Sequence, residues 1–200
     1  MKFKLNVPNA LTMVRIACTP LMIALFMLDI PYGIGYFCAL GVYVLACITD
    51  FLDGYIARKY NLITDFGKFM DQIADKFITT TAIILVLLAY PTTINWLAIL
   101  LVLIVVLRDI LISGVRMVAS KENVVIAADI FGKVKSFFLD VASMVIMLWI
   151  GLAQVVEGEW LKYTRLAGIS LMIVGVVLCV VSCINYIVNA LKALNKKNID

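Results

Sequence analysis

Long apolar runs separated by short polar segments make up most of the sequence. Each run is about 18 or more residues long, which is enough for one helix to cross the hydrocarbon core of a bilayer. The runs predict six transmembrane helices, whose ends the pattern defines only to within several residues: about 10–28, 34–58, 66–89, 95–118, 131–155 and 165–191. The pattern therefore predicts an all-α integral membrane protein, with residues 1–200 forming a single membrane-embedded domain.

Composition favours a membrane protein over a soluble one. Hydrophobic residues make up 64% of the chain, charged residues make up only 15%, and the mean hydropathy is +1.06. A soluble domain with so few charged residues could not cover its apolar surface. The first apolar run follows basic residues, as in a signal peptide, but Arg15 interrupts it and no small-residue cleavage site follows. We therefore predict that the first helix is retained.

Basic residues lie almost entirely on one side of the predicted membrane. With six spans, both termini face the same side as the turn at about 59–65 and the loop at about 119–130. Of the 17 Lys and Arg residues, only Lys162 and Arg165 lie on the other side. Because cytoplasmic loops carry an excess of Lys and Arg, the basic side is predicted to be cytoplasmic. The net charge of +4 suits an anionic lipid surface, and no basic-aromatic pattern outside the spans indicates nucleic acid as a partner.

Acidic residues concentrate on the same side, where the second predicted helix ends and the third begins. Five of the 13 acidic residues fall within residues 49–76: Asp50, Asp53, Asp65, Asp71 and Asp75. Asp50 and Asp53 are three residues apart, and Asp71 and Asp75 are four apart, so each pair shares one helix face. Two neighbouring antiparallel helices could therefore bring these four carboxylates together. Small residues on the same faces leave room for a bulky group: Gly54, Ala57 and Gly67. Asp65 is interpreted as a helix cap.

Four carboxylates beside apolar helices require neutralisation, since an ionised acid inside a span costs about 2.5–3.5 kcal/mol on insertion scales. They could be protonated, as in a proton relay, or neutralised by divalent cations. The chain has no histidine, which excludes His-based zinc sites and Ser-His triads, and a purely carboxylate site favours Mg²⁺ or Mn²⁺. The structural alternative is that the acids cap helices and pair with nearby cations: Arg58, Lys59, Lys68 and Lys76. We favour the metal site, because the alternative does not explain four acids at two same-face spacings.

Three polar residues near the start of the first predicted helix lie near the same face: Asn9, Thr12 and Arg15. We interpret them as capping the helix and anchoring it at the membrane interface. Contact with a ligand is the alternative.

The spacing of the acidic stretch resembles a known signature. It reads Asp50-x-x-Asp53-Gly54-x-x-Ala57-Arg58, then eight residues, then Gly67-x-x-x-Asp71-x-x-x-Asp75. At every fixed position it is similar to the signature of the CDP-alcohol phosphatidyltransferase family. The resemblance implies two divalent cations, Mg²⁺ or Mn²⁺, held by Asp50, Asp53, Asp71 and Asp75. It implies that Asp75 is also the catalytic base. The implied contacts with the CDP-linked lipid are Gly54, Ala57, Arg58 and Gly67.

Other segments resemble the bacterial branch of this family that uses glycerol 3-phosphate as its acceptor: residues 7–15, 107–119 and 124–136. The resemblance implies CDP-diacylglycerol as the donor, phosphatidylglycerol phosphate and CMP as products, and a homodimer. It also implies a multi-pass protein of the bacterial cytoplasmic membrane with its active site facing the cytoplasm.

An anionic acceptor needs cations beside the metals. Four basic residues at the cytoplasmic ends of the fourth and fifth predicted helices are the candidates: Arg108, Arg116, Lys133 and Lys135. The alternative is that these residues anchor the helices at the membrane surface. In that case Asp109 and Asp140 could pair with Arg108 and Lys133.

Two further functions stay open on the sequence. The same chemistry could use another acceptor, either phosphatidylglycerol, giving cardiolipin, or an inositol phosphate. An ion- or proton-coupled transporter could line its path with the aspartates, but such a path predicts polar residues through the depth of the membrane. Here the acids lie at one face, and the outer halves of the second, third and sixth predicted helices are almost purely apolar.

Overall fold

The computed structural model describes residues 7–28, 30–60, 65–89, 95–121 and 130–197. These ranges form one 3₁₀ turn, Pro31–Gly33, and six helices: α1 (Val7–Met27), α2 (Ile34–Lys59), α3 (Asp65–Ala89), α4 (Asn95–Lys121), α5 (Ile130–Leu152) and α6 (Trp160–Lys197). Some side chains in the helix turns beside the gaps lie outside the described part, among them Ala57, Arg58, Arg116 and Lys133. Within the described ranges no strand occurs, so the all-α prediction is confirmed.

The helices are those of a membrane protein. Among the described residues, four segments are long and apolar enough to cross a membrane: Ala10–Met27, Pro31–Tyr55, Val134–Leu152 and Trp160–Leu191. Large apolar side chains also project from the helix surfaces, including Leu45, Leu88 and Ile99. Exposed apolar side chains at this density suit contact with lipid rather than water. That α3 and α4 also span the membrane stays a prediction.

The chain forms two compact units, and the first comprises Met1–Pro91 and Ser143–Leu166. In this unit α1 packs against both α2 and α3, and α2 also contacts α3. Buried apolar side chains fill the contacts: Met22, Phe26, Ala39, Tyr43, Ala46, Ala74 and Ile78. The three helices therefore form the scaffold on which the signature aspartates are mounted.

A close approach of two backbones fixes α1 against the start of α2. A Cβ atom on Gly35 would lie 2.5 Å from the carbonyl oxygen of Leu25, which is far too close for any larger residue. The preceding turn has positive φ angles at Tyr32 and Gly33 (61° and 66°), so the chain reverses sharply between the two helices. This reversal sets α1 alongside α2 from their connected ends onward.

The second unit comprises Thr92–Ala142 and Ala167–Asp200. It contains α4 and the adjoining parts of α5 and α6. Gly175 of α6 lies against Leu139 of α5, where an added Cβ would come within 2.7 Å of Cδ2. Apolar side chains buried in this unit include Val105, Ile112, Met172, Val176 and Cys179. The prediction that residues 1–200 form a single domain stays a prediction.

Candidate active site

Three aspartates from two helices meet in the first unit. Asp50 and Asp53 lie about one turn apart on α2, and Asp71 lies on α3. One carboxylate oxygen from each lies within 4.8 Å of the other two. Because α2 and α3 both pack against α1, helices that follow each other in sequence bring these acids to one point. The structure thus unites three of the four carboxylates singled out by their spacing.

Arg15 of α1 contacts all three carboxylates. Its Nη1 lies 2.6 Å from Oδ1 of Asp50 and 3.0 Å from Oδ1 of Asp71. Its Nη2 donates a hydrogen bond to Oδ2 of Asp53 over 2.5 Å. One planar guanidinium group therefore links two neighbouring helices through three charged contacts.

This contact overturns the interpretation of Arg15 as a residue that anchors α1 at the membrane interface. The side chain of Arg15 is only 1% exposed and points to the acidic cluster instead of the surface. Arg15 is not among the cations that the structural alternative named, since those cations lie near the acids in sequence. Arg15 is 38 residues from Asp53 and 56 from Asp71 along the chain. The signal available in the sequence was a single arginine interrupting an apolar run.

Charge and exposure differ across the cluster. Within this group of four side chains, one positive charge faces three negative charges. The side chain of Asp53 is 4% exposed, whereas those of Asp50 and Asp71 are 42% and 45% exposed. Arg15 therefore contacts the carboxylates from the buried side, and two of them are reachable from the open side. An excess of negative charge that is open on one side is suited to binding a cation.

The donor set fits a hard divalent cation. Mg²⁺ binds oxygen ligands at about 2.1 Å in octahedral geometry, so opposite ligands lie roughly 4.2 Å apart. Oxygens that already lie within 4.8 Å of one another need only small movements to reach that spacing. Carboxylate oxygens are the ligands preferred by Mg²⁺ and Mn²⁺. The aspartates could therefore hold such a metal.

The other signature residues lie around this group. Asp75 is on α3, four residues after Asp71; it is exposed and is not part of the group of three. Gly54 follows Asp53 directly on α2, and Gly67 precedes Asp71 by one turn. The side chains of two residues with predicted roles lie outside the described part: Ala57 and Arg58.

A second charged cluster lies in the other unit and includes two of the predicted phosphate contacts. Nη1 of Arg108 lies 2.8 Å from Oδ1 of Asp109, and Nζ of Lys135 lies 2.9 Å from the same oxygen. Nη2 of Arg108 donates a hydrogen bond to Oγ of Ser182 over 2.6 Å. The pairing of Arg108 with Asp109 that the structural alternative named is therefore present. Among these three side chains, two positive charges therefore face one negative charge.

Ser182 of α6 belongs to this cluster, and no pattern in the sequence pointed to it as a partner of Arg108. Ser182 is fully buried, and Tyr186 follows one turn later on the same face with 3% of its surface exposed. Among the described residues, the hydroxyl of Tyr186 and Nε of Arg108 are buried and have no hydrogen-bond partner. Two further predicted phosphate contacts have side chains outside the described part: Arg116 and Lys133.

Comparison with known proteins shows the family of the chain. A family model described as CDP-alcohol phosphatidyltransferase matches residues 5–184. Three similar proteins are named CDP-diacylglycerol–glycerol-3-phosphate 3-phosphatidyltransferase. The protein from Escherichia coli (strain K12) is 32% identical over 184 residues, covering 91% of this chain and 93% of that protein. The protein from Rickettsia bellii (strain RML369-C) is 38% identical over 148 residues, covering 74% and 78% respectively. The protein from Bacillus subtilis (strain 168) is 30% identical over 153 residues, covering 72% and 77%.

Proposed function

The chain belongs to the CDP-alcohol phosphatidyltransferase family and is a membrane-bound transferase, and from this premise we propose its substrates. We propose that it transfers a phosphatidyl group from CDP-diacylglycerol to glycerol 3-phosphate, giving phosphatidylglycerol phosphate and CMP. The observation that carries this proposal is the group formed by Asp50, Asp53 and Asp71, with oxygens within 4.8 Å of one another. The printed names of the three relatives support the choice of donor and acceptor.

In the proposed mechanism the acidic residues divide into metal ligands and a base. Asp50, Asp53, Asp71 and Asp75 would hold two Mg²⁺ or Mn²⁺ ions, which when bound neutralise phosphate oxygens of the donor. Asp75 would also accept the proton of the acceptor hydroxyl. The hydroxyl oxygen then forms a bond to the phosphorus that carries the diacylglycerol. The bond from that phosphorus to the bridging oxygen breaks, and CMP leaves with the electron pair.

Small residues beside the acids suit a flat nucleotide close to the helix backbone. Gly54 and Gly67 are on α2 and α3 near the ligands, and we assign both to the CDP end of the donor. We assign Ala57 to the same surface and Arg58 to the donor phosphates, on the signature alone. The chain would thereby align the donor for attack by the acceptor hydroxyl. Such alignment accounts for much of the lowering of the activation barrier in phosphoryl transfer.

We assign the phosphate of the acceptor to Arg108 and Lys135, two of the cations that the sequence predicted for it. Arg108 and Lys135 share the carboxylate of Asp109, so their combined charge exceeds that of their partner by one. A doubly charged phosphate is a stronger acceptor of charge-assisted hydrogen bonds than one shared carboxylate. Arg116 and Lys133 join this assignment on sequence position alone.

The position of the active site at the cytoplasmic face of a bacterial membrane is part of the same proposal. The charge asymmetry supports it, since only Lys162 and Arg165 lie on the opposite side. A homodimer is likewise proposed from the family resemblance.

The experiment supplies purified protein in detergent or nanodiscs with CDP-diacylglycerol, Mn²⁺ and one alcohol at a time, and measures CMP release. The panel contains glycerol 3-phosphate, phosphatidylglycerol, an inositol phosphate and glycerol. Asp50→Asn is the matched control, because it removes a carboxylate with almost no change in volume. We expect release with glycerol 3-phosphate and none from the control protein. Release only with another alcohol overturns the acceptor, and absence of release with every alcohol overturns the proposed activity.

A further inference from the structure

Arg15 has a place in the acidic cluster that the family signature does not describe. The signature residues lie on α2 and α3, whereas Arg15 lies on α1. It is one of the most completely buried large side chains in the described part of the chain, and it is charged. A buried arginine is costly unless its charge is matched, so its position requires an explanation.

We infer that Arg15 is a positioning residue that holds Asp50, Asp53 and Asp71 in the arrangement that binds the divalent cations. This inference rests on the proposed function, because the metal site is part of it. Arg15 acts through the carboxylates and does not contact the substrates.

The geometry of the contacts supports the inference that Arg15 positions the three carboxylates. Nη1 spans from Asp50 on α2 to Asp71 on α3, at 2.6 and 3.0 Å, so it fixes the separation of the two helices at the site. Nη2 holds Asp53 at 2.5 Å. A guanidinium is planar and its donors form a rigid fork, so contacts to three acceptors orient all three carboxylates together.

The exposure of the same residues indicates on which side the metal would bind. Arg15 and Asp53 are almost completely buried, at 1% and 4% exposure, while Asp50 and Asp71 keep 42% and 45%. Arg15 therefore lies on the protein side of the carboxylates. Each carboxylate has two oxygens, so contact from one side leaves capacity for a cation on the other.

The balance of charge also supports a positioning role for Arg15. One guanidinium against three carboxylates leaves two negative charges, so Arg15 lowers the repulsion among the acids without neutralising them. Without Arg15, three negative charges on two helices would push the carboxylates apart and the site would have to be assembled by the metal itself. Groups that orient metal ligands from behind in this way typically change metal affinity by about 10–100-fold when they are removed.

The test measures Mn²⁺ affinity directly, by electron paramagnetic resonance of free Mn²⁺ on purified protein without substrates. Four proteins are compared: the wild type, Arg15→Met, Arg15→Lys and Thr19→Val. Met removes the charge at similar length, and Lys keeps the charge but loses the planar fork. Thr19 is the matched control, since it is buried one turn further along α1 and its hydroxyl donates to the carbonyl of Arg15, not to an aspartate.

We expect Arg15→Met to weaken Mn²⁺ binding by about 10–100-fold. Arg15→Lys should lie between the wild type and Arg15→Met, and Thr19→Val should bind Mn²⁺ as the wild type does. In CMP release, raising Mn²⁺ should restore much of the rate of Arg15→Met, because the loss lies in metal binding. A purely structural role for Arg15 predicts no such rescue.

Three outcomes overturn the inference. If Arg15→Met binds Mn²⁺ as tightly as the wild type, Arg15 does not orient the ligands. If it binds Mn²⁺ more tightly, Arg15 is a competitor for the metal position and not a support. If Arg15→Met cannot be recovered folded, Arg15→Lys decides alone, and unchanged affinity in that variant also overturns the inference.

The wild-type result separates this inference from the proposed function. If the wild type binds no Mn²⁺, or if Asp50→Asn binds it equally well, the metal site of the proposed function fails. If the wild type binds Mn²⁺ through Asp50 and the Arg15 variants are unchanged, only the role of Arg15 fails.

Discussion

Nη2 of Arg15 lies 2.5 Å from Oδ2 of Asp53, and both side chains are almost completely buried. The pair joins α1 to α2 inside an apolar protein, where the charge of Asp53 depends on Arg15 for its neutralisation. Asp50 and Asp71 contact the same guanidinium but keep about half of their surface open, so the three acids contribute unequally to stability. The buried acid therefore contributes most to the fold, and the two exposed acids are the more accessible to a cation.

Asp53→Asn should therefore destabilise the protein more than Asp50→Asn. Loss of the buried charge-assisted hydrogen bond from Arg15 is expected to lower the free energy of unfolding by about 1.5–3 kcal/mol. Asp50→Asn should cost less, because water can solvate the exposed side of Asp50. Unfolding of both variants in detergent with a chelator present measures the difference. A larger loss of stability in Asp50→Asn than in Asp53→Asn would mean that burial does not determine how much each contact stabilises the protein.

Asp75→Asn should abolish turnover while leaving donor binding largely intact. Removing a general base lowers rates by about 10²–10⁴-fold, whereas the other three carboxylates still provide most of the metal ligands. CMP release measures the rate of turnover. Mn²⁺-dependent binding of CDP-diacylglycerol measures whether the site still binds its donor. Asp65→Asn, at the first residue of α3, is the control and should keep turnover. Near-normal turnover in Asp75→Asn would exclude Asp75 as the base.

Lys135→Met should raise the KM for glycerol 3-phosphate without changing that for CDP-diacylglycerol. A lost charge-assisted hydrogen bond of about 1.5–3 kcal/mol corresponds to a rise of about tenfold or more. Lys162→Met is the matched control, because Lys162 is exposed and pairs with Glu159. Steady-state kinetics with each substrate varied in turn separate the two KM values. An equal rise in both would place Lys135 outside acceptor binding.

Mn²⁺ should stabilise the folded protein against heat. A ligand present at 100 times its Kd adds about 2.7 kcal/mol to the free energy of unfolding if it binds only the folded state. The increment should disappear in Asp71→Asn, which loses one of the three clustered carboxylates. Asp140→Asn, an acidic residue outside that group, should keep it. Thermal unfolding with Mn²⁺ or a chelator tests this, and an equal increment in both variants would contradict the assignment of the metal ligands.

Gly35→Ala should destabilise the packing of α1 on α2. The new Cβ would lie 2.5 Å from the carbonyl oxygen of Leu25, and a backbone atom cannot move aside cheaply. Overpacking of this kind typically costs about 1–3 kcal/mol. Gly41→Ala on the same helix is the matched control, since no atom lies within 4 Å of its added Cβ. There the better helix propensity of alanine should stabilise by up to about 1 kcal/mol. Similar unfolding of the two variants would contradict the close approach.

Residue spacing along the chain predicted the grouping of the aspartates but not the contacts made by residues of distant helices. Asp50, Asp53 and Asp71 were placed together because spacings of three and four residues define a helix face, and their two helices are consecutive. The contact with Arg15 was missed because it depends on how α1 packs against both helices, 38 residues away from Asp53. Ser182 was missed for the same reason, since its contact with Arg108 spans 74 residues.

The sequence by itself determined the class of fold, the number of helices, the family and the acidic signature. These follow from hydrophobic run length and residue spacing, which are local properties of the chain. Only the tertiary structure decided that Arg15 meets the aspartates and that Lys135 joins Arg108 on the carboxylate of Asp109. Those pairings join residues far apart in sequence, and they are fixed by side-chain packing between helices, which no periodicity along the chain encodes.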